Sequence, residues 1–252
     1  MSYVRAALAC AYALLWIAGT LSVLLSGRSP DWAPPISLFL AAVLIFIDRA
    51  PDCRWLVFVA VTGFAIEALG VRFGFPFGRY EYSSVLQPQV LRVPLVLICA
   101  WVVITAYAWQ AVSRRFASVA MRAAMGGAWM MALDLLIDPV ATNAMSYWRW
   151  LEPGSYYGVP VSNFAGWFVA GALLLSLAGR ARDVRSDAAD LLGLSIVVYF
   201  GIVAAKRGLT LPALWAAVLC AIHVYSLAPQ EGRAPRQAER PYRALEQSNR
   251  IR

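Results

Sequence analysis

Three carboxylates lie inside apolar segments of this chain, where ionisable side chains are costly and are by default candidates for a functional site. Glu67 lies late in one apolar segment, and Asp134 and Asp138 lie late in another. Positions i and i+4 share one face of a helix, so the two aspartates are expected to point the same way. A carboxyl group in a dry, apolar pocket favours its protonated form and can act as an acid at neutral pH. The pattern therefore predicts acid–base chemistry by carboxyl groups.

Two long connections between apolar segments, 73–89 and 139–158, are rich in Gly, Pro, Tyr and Trp. Gly and Pro fix a folded path for a loop, and Tyr and Trp suit a boundary that is apolar on one side and wet on the other. Both connections adjoin the segment ends that carry the carboxylates, so we expect their aromatic side chains to lie near the acids. The alternative is that these aromatic residues form only an interfacial belt.

Each carboxylate also has a purely structural interpretation. Asp138 precedes a proline, so it could mark a helix end in contact with water. Glu67 and Asp134 lie deeper, and either could be the buried ion-pair partner of Arg72 or Arg92. These alternatives stay open at the level of the sequence.

The composition indicates that membrane helices hold these residues. The 252 residues are 61% hydrophobic and 14% charged, with a mean hydropathy of +0.62, whereas a soluble domain carries about 25% charged residues. We therefore expect one all-α integral membrane bundle over 1–228, with seven or eight spanning helices of about 20 residues each. The second candidate is the weakest, because two prolines shorten it. The eight candidates are 5–26, 32–48, 54–72, 90–112, 117–138, 159–179, 189–205 and 209–227.

Arginine supplies all but one of the 22 basic residues, and the net charge is +8. Because the arginines lie between apolar runs, this balance indicates positive-inside topology and affinity for anionic membrane lipid, not nucleic-acid binding. Fifteen Lys and Arg fall on the side that holds both termini and seven on the other. Both termini are therefore predicted to be cytoplasmic, in a bacterial inner (plasma) membrane. The basic tail, 229–252, is expected to be disordered near the membrane surface.

Several classes of chemistry lack their residues in this sequence. With His223 as the one histidine, the chain cannot supply a histidine-rich di-iron cluster, and this residue is expected to be packed and hydrogen-bonded. No G-x-G-x-x-G motif follows a strand, and neither a Walker motif nor a G-x-S-x-G elbow is present. The four cysteines form no C-x-x-C pair, so no zinc or disulfide framework is expected.

Several rare elements follow one another in a characteristic order: Glu67, 74–82, Pro94, Trp101, 134–139, 148–150, 156–160, Asn163, Gly166 and Trp167. In these elements the chain resembles the carotenoid 1',2'-hydratases, a family that includes γ-carotene and bisanhydrobacterioruberin hydratases. The resemblance covers roughly residues 60 to 180. It implies hydration of the terminal double bond of an acyclic carotenoid end group, with lycopene, γ-carotene or a C50 precursor as substrate and a tertiary alcohol as product.

The chemistry of hydration assigns a role to each group. Protonating the less substituted alkene carbon leaves a tertiary carbocation, which water captures. We expect Asp134 or Glu67 to donate the proton and Asp138 to be its partner or the base for water, with no cofactor and no metal ion. Asn163 or Tyr157 would orient the water. Aromatic faces stabilise a desolvated cation by about 2 kcal/mol or more. The expected cation-tolerant wall is Trp148, Trp150, Tyr156 and Trp167, and the other expected substrate contacts are Phe77, Arg79, Tyr80, Tyr82 and Trp101.

Other functions share parts of this pattern. An intramembrane prenyltransferase uses two Asp-rich motifs to hold Mg²⁺ and a diphosphate, and only one aspartate pair is present here. An end-group cyclase shares the protonation step but ends by losing a proton. A transporter or lipid-binding protein also uses intramembrane carboxylates, often with inverted repeats, and the two halves of this chain show no repeat. Other carotenoid-pathway enzymes are possible partners.

Overall fold

The computed structural model describes residues 2–48, 53–178 and 186–227, which fold into eight α-helices and four short strands. Six of the helices have at least 18 residues and are long and apolar enough to cross a membrane, and α2 and α6 are shorter apolar helices. The predicted all-α membrane bundle is confirmed, whereas the predicted tail lies outside the described residues. The helices are α1 (Ser2–Ser26), α2 (Ala33–Asp48), α3 (Cys53–Phe73), α4 (Val96–Ser113), α5 (Val119–Asn143), α6 (Val161–Leu177), α7 (Asp187–Lys206) and α8 (Thr210–Leu227).

The prolines of the second helix do not interrupt it. Pro34 and Pro35 occupy the first turn of α2, where a missing backbone N–H has no partner within the helix to lose. The fourth helix begins at Val96, six residues later than predicted. The residues before it form an antiparallel hairpin of β2 (Gln89–Val90) and β3 (Val93–Pro94).

Helix α4 lies at the centre of the bundle. Residues 101–110 are all buried, and the helix packs against α2, α3, α5, α6 and α7. Next to it, α5 and α6 approach closely because small residues face each other. A Cβ atom at Gly127 would lie 2.4 Å from the backbone oxygen of Phe168, so only glycine allows this separation.

The two long connections are joined by a two-stranded antiparallel sheet. Strand β1 (Tyr80–Tyr82) pairs with β4 (Trp148–Trp150), with Tyr80 opposite Trp150 and Tyr82 opposite Trp148. Side chains alternate between the two faces of a strand. The four aromatic rings therefore share the face toward the helices, while Glu81 and Arg149 share the outer face and form an exposed ion pair.

Candidate active site

Helix α5 carries both aspartates inside the bundle and continues through a proline. The sequence predicted that this helix ends at 138, but it extends to Asn143, with Pro139 inside it. Proline has no N–H to donate to the carbonyl four residues earlier, here that of Leu135. The hydroxyl of Tyr156 donates to this carbonyl oxygen instead, at 3.1 Å. The second long connection thus supports the last turns of the helix that carries the acids.

Replacing Tyr156 by Phe should lower the free energy of unfolding by about 1 kcal/mol, because a partly buried carbonyl loses its partner. Unfolding of the purified protein in detergent micelles would measure this loss. The Pro139→Ala replacement restores an N–H that can donate to Leu135, so the double variant should recover most of it. Equal costs of Tyr156→Phe with Pro139 and with Ala at 139 would contradict this role.

Asn163 joins the two aspartates. It lies in the first turn of α6 and is 2% exposed, and Asp134 and Asp138 are 4% and 2% exposed. Its side-chain amide donates one hydrogen bond to Oδ2 of Asp134 and a second, of 2.8 Å, to Oδ2 of Asp138. The i, i+4 spacing therefore brings both carboxyl groups to one amide, as the shared helix face predicts.

The sheet supplies the remaining partners of Asp138. The indole nitrogens of Trp148 and Trp150 each donate to its Oδ1 at 3.0 Å. Indole N–H groups and the amide of Asn163 act only as donors here, so Asp138 receives three hydrogen bonds and is held as an acceptor. By contrast, Oδ1 of Asp134 has no hydrogen-bond partner among the described residues, and Asp134 lines the cavity described below.

Glu67 is enclosed by three donors. The hydroxyls of Tyr80 and Tyr82 donate to its Oε2 at 2.6 and 2.7 Å, and the indole of Trp101 donates to Oε1 at 3.1 Å. Glu67 is 3% exposed. Both of its oxygens are thus used as acceptors, which distinguishes it from Asp134.

The two phenols of β1 remain protonated over the whole neutral range. Burial raises the pKa of Tyr80 and of Tyr82, and the nearby Glu67 carboxylate raises both further. A raised pKa keeps the hydroxyl proton in place as pH increases. Both tyrosines therefore stay hydrogen-bond donors to Glu67.

A chain of aromatic rings connects Glu67 with Asp138. Trp101 stacks on Trp167 with ring centroids 4.6 Å apart, and Phe77 lies 5.8 Å from Trp167. Tyr80 continues the chain to Trp150 at 5.2 Å. Such faces attract a cation that has lost its water.

The acids and these rings surround one apolar cavity of about 170 Å³. An engineered apolar cavity of about 150 Å³ accommodates benzene, so this one has room for a small branched hydrocarbon group. Eleven of the fourteen predicted site residues line this cavity, and the three that do not are Arg79, Tyr156 and Tyr157. The lining residues among the predictions are Glu67, Phe77, Tyr80, Tyr82, Trp101, Asp134, Asp138, Trp148, Trp150, Asn163 and Trp167.

Three predicted substrate contacts lie elsewhere. Arg79 is exposed and pairs with Glu152 at 3.8 Å. It lies just before β1, whose Tyr80 and Tyr82 point toward the helices. Tyr156 packs beneath α5 against Phe164. The hydroxyl of Tyr157 accepts a hydrogen bond from the backbone of Leu211 at 3.3 Å, which directs it toward α8.

The described residues show neither a buried ion pair at the acids nor a helix end at Asp138. Among the described residues, no ion pair joins Glu67, Asp134 or Asp138 to a basic side chain. Neither Arg72 nor Arg92 therefore neutralises them. Asp138 lies within α5 and is buried, so it does not mark a wet helix end. His223, as expected, is packed and hydrogen-bonded, with Nδ1 2.9 Å from the hydroxyl oxygen of Tyr107.

Sequence reasoning missed the part of the cavity that the outer helices build. Helix α1 contributes residues at i, i+3, i+4 and i+7, which share one helix face, and α2 and α7 contribute similar stripes. No signal in the sequence separates a cavity-facing apolar stripe from a lipid-facing one. The added residues include Tyr12, Leu15, Trp16 and Gly19 on α1, Leu38 and Ala41 on α2, and Ile196, Tyr199 and Phe200 on α7.

Comparison with known proteins agrees with the resemblance seen in the sequence. Over 158 residues the chain is 32% identical to the bisanhydrobacterioruberin hydratase of Haloarcula japonica, a stretch that makes up 58% of this chain and 53% of that protein. The match thus spans about half the length of the relative. No solved structure matches the chain. Residues 36–227 match the family described as carotenoid biosynthesis protein, and the chain belongs to this family.

Proposed function

We propose that this protein hydrates the terminal double bond of an acyclic carotenoid end group, giving a tertiary alcohol without a cofactor. The observation that carries the proposal is a buried carboxyl group, Asp134, with one oxygen open to an apolar cavity that aromatic rings enclose. The name of the Haloarcula relative supports the same reaction type. Lycopene, γ-carotene and C50 precursors share this end group and are the candidate substrates.

Asp134 is the proton donor in this proposal, and Glu67 is not. Both oxygens of Glu67 already accept hydrogen bonds from groups that stay protonated. Oδ2 of Asp134 accepts from Asn163, which leaves Oδ1 to carry a proton toward the cavity. Asp138 acts as the fixed partner, because Trp148, Trp150 and Asn163 hold it as an acceptor.

The reaction needs two steps at this site. The proton on Oδ1 of Asp134 adds to the less substituted alkene carbon, and the π electrons form the new C–H bond. The adjacent carbon becomes a tertiary carbocation, which faces the rings of Trp101, Trp167 and Tyr80. Water then gives an electron pair to that carbon and returns one proton to Asp134. The sum is the addition of one water molecule, and the acid is regenerated.

The site would lie near the outer face of a bacterial inner membrane. The positive-inside count predicts cytoplasmic termini, and eight helices that alternate in direction would bring both termini to one side. The two long connections then lie on the other side, above the carboxyl groups. A polar hydroxyl formed at this depth can remain in the interface while the apolar chain stays in the bilayer.

Expression in bacteria that accumulate lycopene or γ-carotene would test the reaction. We expect pigments heavier by the mass of one water molecule, or of two where both end groups react. A new pigment of unchanged mass would instead indicate an end-group cyclase. Unchanged pigment from well-expressed protein on both substrates would contradict the proposed function.

A further inference from the structure

The cavity extends well beyond the three carboxyl groups. Its far side is an arm lined by α1, α2 and α7, and α1 packs against α2 and α7, whereas the acids lie on α3 and α5. Along α1 the lining runs from Tyr12 to Gly19, about 10 Å at 1.5 Å per residue. This lining is long enough to lie beside part of a linear chain.

Gly19 leaves open space on the α1 side of this arm. It is buried, yet a Cβ atom added there would meet no atom within 4 Å. A buried position normally lies against packed neighbours, so the space in front of Gly19 belongs to the cavity. Below it, the indole of Trp16 donates to the backbone oxygen of Ser195 at 3.0 Å, and the hydroxyl of Tyr12 is hydrogen-bonded to the side chain of Ser195. These contacts tie α1 to α7 and fix the arm's width.

The volume indicates what fills the arm. A cavity of about 170 Å³ holds one branched end group and the beginning of a chain, but not a C40 carotenoid that is about as long as the hydrocarbon core, roughly 30 Å. When an end group reaches Asp134, the adjoining part of the polyene chain therefore also needs apolar space. The arm is the apolar continuation of the same cavity, with one helix face of α1 along it.

We propose that the arm between α1, α2 and α7 binds the polyene chain adjacent to the reacting end group, and that Gly19 provides the room for that chain. This inference rests on the proposed function, because it names the part of the same substrate that the arm receives. Gly19 is thus a specificity-determining residue that does not touch the reacting carbons.

The test compares Gly19→Phe with Ala18→Phe, which adds the same ring to the neighbouring, exposed position on α1. Both are expressed in lycopene-accumulating cells, and the lycopene that co-purifies with each detergent-solubilised protein is measured together with hydrated product. We expect Gly19→Phe to lower both by about ten-fold or more, because its ring fills the arm. Ala18→Phe should stay close to the wild-type protein.

A short acyclic isoprenoid with the same end group separates the arm from the acid site. Gly19→Phe should still hydrate it, because a short chain does not need the arm. If Gly19→Phe retains and hydrates lycopene as the wild-type protein does, the arm inference is wrong and the proposed function stands. If the wild-type protein hydrates nothing, the proposed function fails, and the retention of lycopene alone tests the arm inference. Loss of lycopene from Gly19→Phe but not from Ala18→Phe would support the inference. Equal retention by both variants would overturn it.

Discussion

Replacing Asp134 by Asn should abolish the formation of hydrated carotenoid while leaving the protein folded. The amide has the size of the carboxyl group, and its oxygen can still accept the hydrogen bond from Asn163. It has no acidic proton to give to an alkene, however. General acid catalysis typically contributes 10²–10⁴-fold, so we expect product to fall by about 100-fold or more.

Mass spectrometry of extracted pigments measures this effect, with protein amount checked in the membrane fraction. The matched control is Asp187→Asn, which makes the same chemical change at an exposed residue in the first turn of α7. It should keep the wild-type yield. If Asp134→Asn retained full activity and Glu67→Gln lost it, the proton donor would be Glu67, and the assignment from hydrogen-bond geometry would be wrong.

The acids themselves could be found from the sequence because each has a local signature. A carboxylate inside an apolar run is rare, and the four-residue spacing of Asp134 and Asp138 already implies a shared face. Their common partner could not be deduced in the same way. Asn163 lies on a different helix, and only the packing of α6 against α5 brings its amide to both aspartates.

The sheet over the site had a signal that was not used. Tyr80-Glu81-Tyr82 and Trp148-Arg149-Trp150 alternate aromatic and charged residues with the period of a strand. As loops, the two segments would lie at the same end of the bundle, but nothing would determine which rings point inward. The pairing of β1 with β4 decides this, and it also separates the cavity-lining Tyr80 from the exposed Arg79.

The continuation of α5 illustrates a limit of local rules. A proline usually ends a helix because it removes one hydrogen bond and crowds the preceding turn. Inside a membrane bundle, a neighbouring side chain can satisfy the freed carbonyl. Tyr156 does so for Leu135 from a connection that lies 21 residues further along the chain, and no pattern around the proline itself reveals that partner.

Removing the amide that joins the two aspartates should have the largest effect on stability. Leu has nearly the shape of Asn, so Asn163→Leu deletes the two hydrogen bonds to Asp134 and Asp138 with little change in packing. The loss of the donor leaves two buried acceptors unsatisfied, each at a cost of about 1–3 kcal/mol, so we expect the free energy of unfolding to fall by about 3 kcal/mol or more. Hydrated product should fall with it, because Asp134 loses its orientation.

Unfolding in detergent micelles measures the loss, and a double-mutant cycle shows where it arises. In an Asp134→Leu background, Asn163→Leu removes one of these hydrogen bonds instead of two, so its cost should fall by about half. An equal cost in both backgrounds would mean that the hydrogen bond from Asn163 to Asp134 adds nothing to the stability of the bundle. A smaller cost with Asp134 removed would tie the stability of α5 and α6 to the same amide that leaves one oxygen of Asp134 open to the cavity. Fold and proposed chemistry would then depend on a single contact.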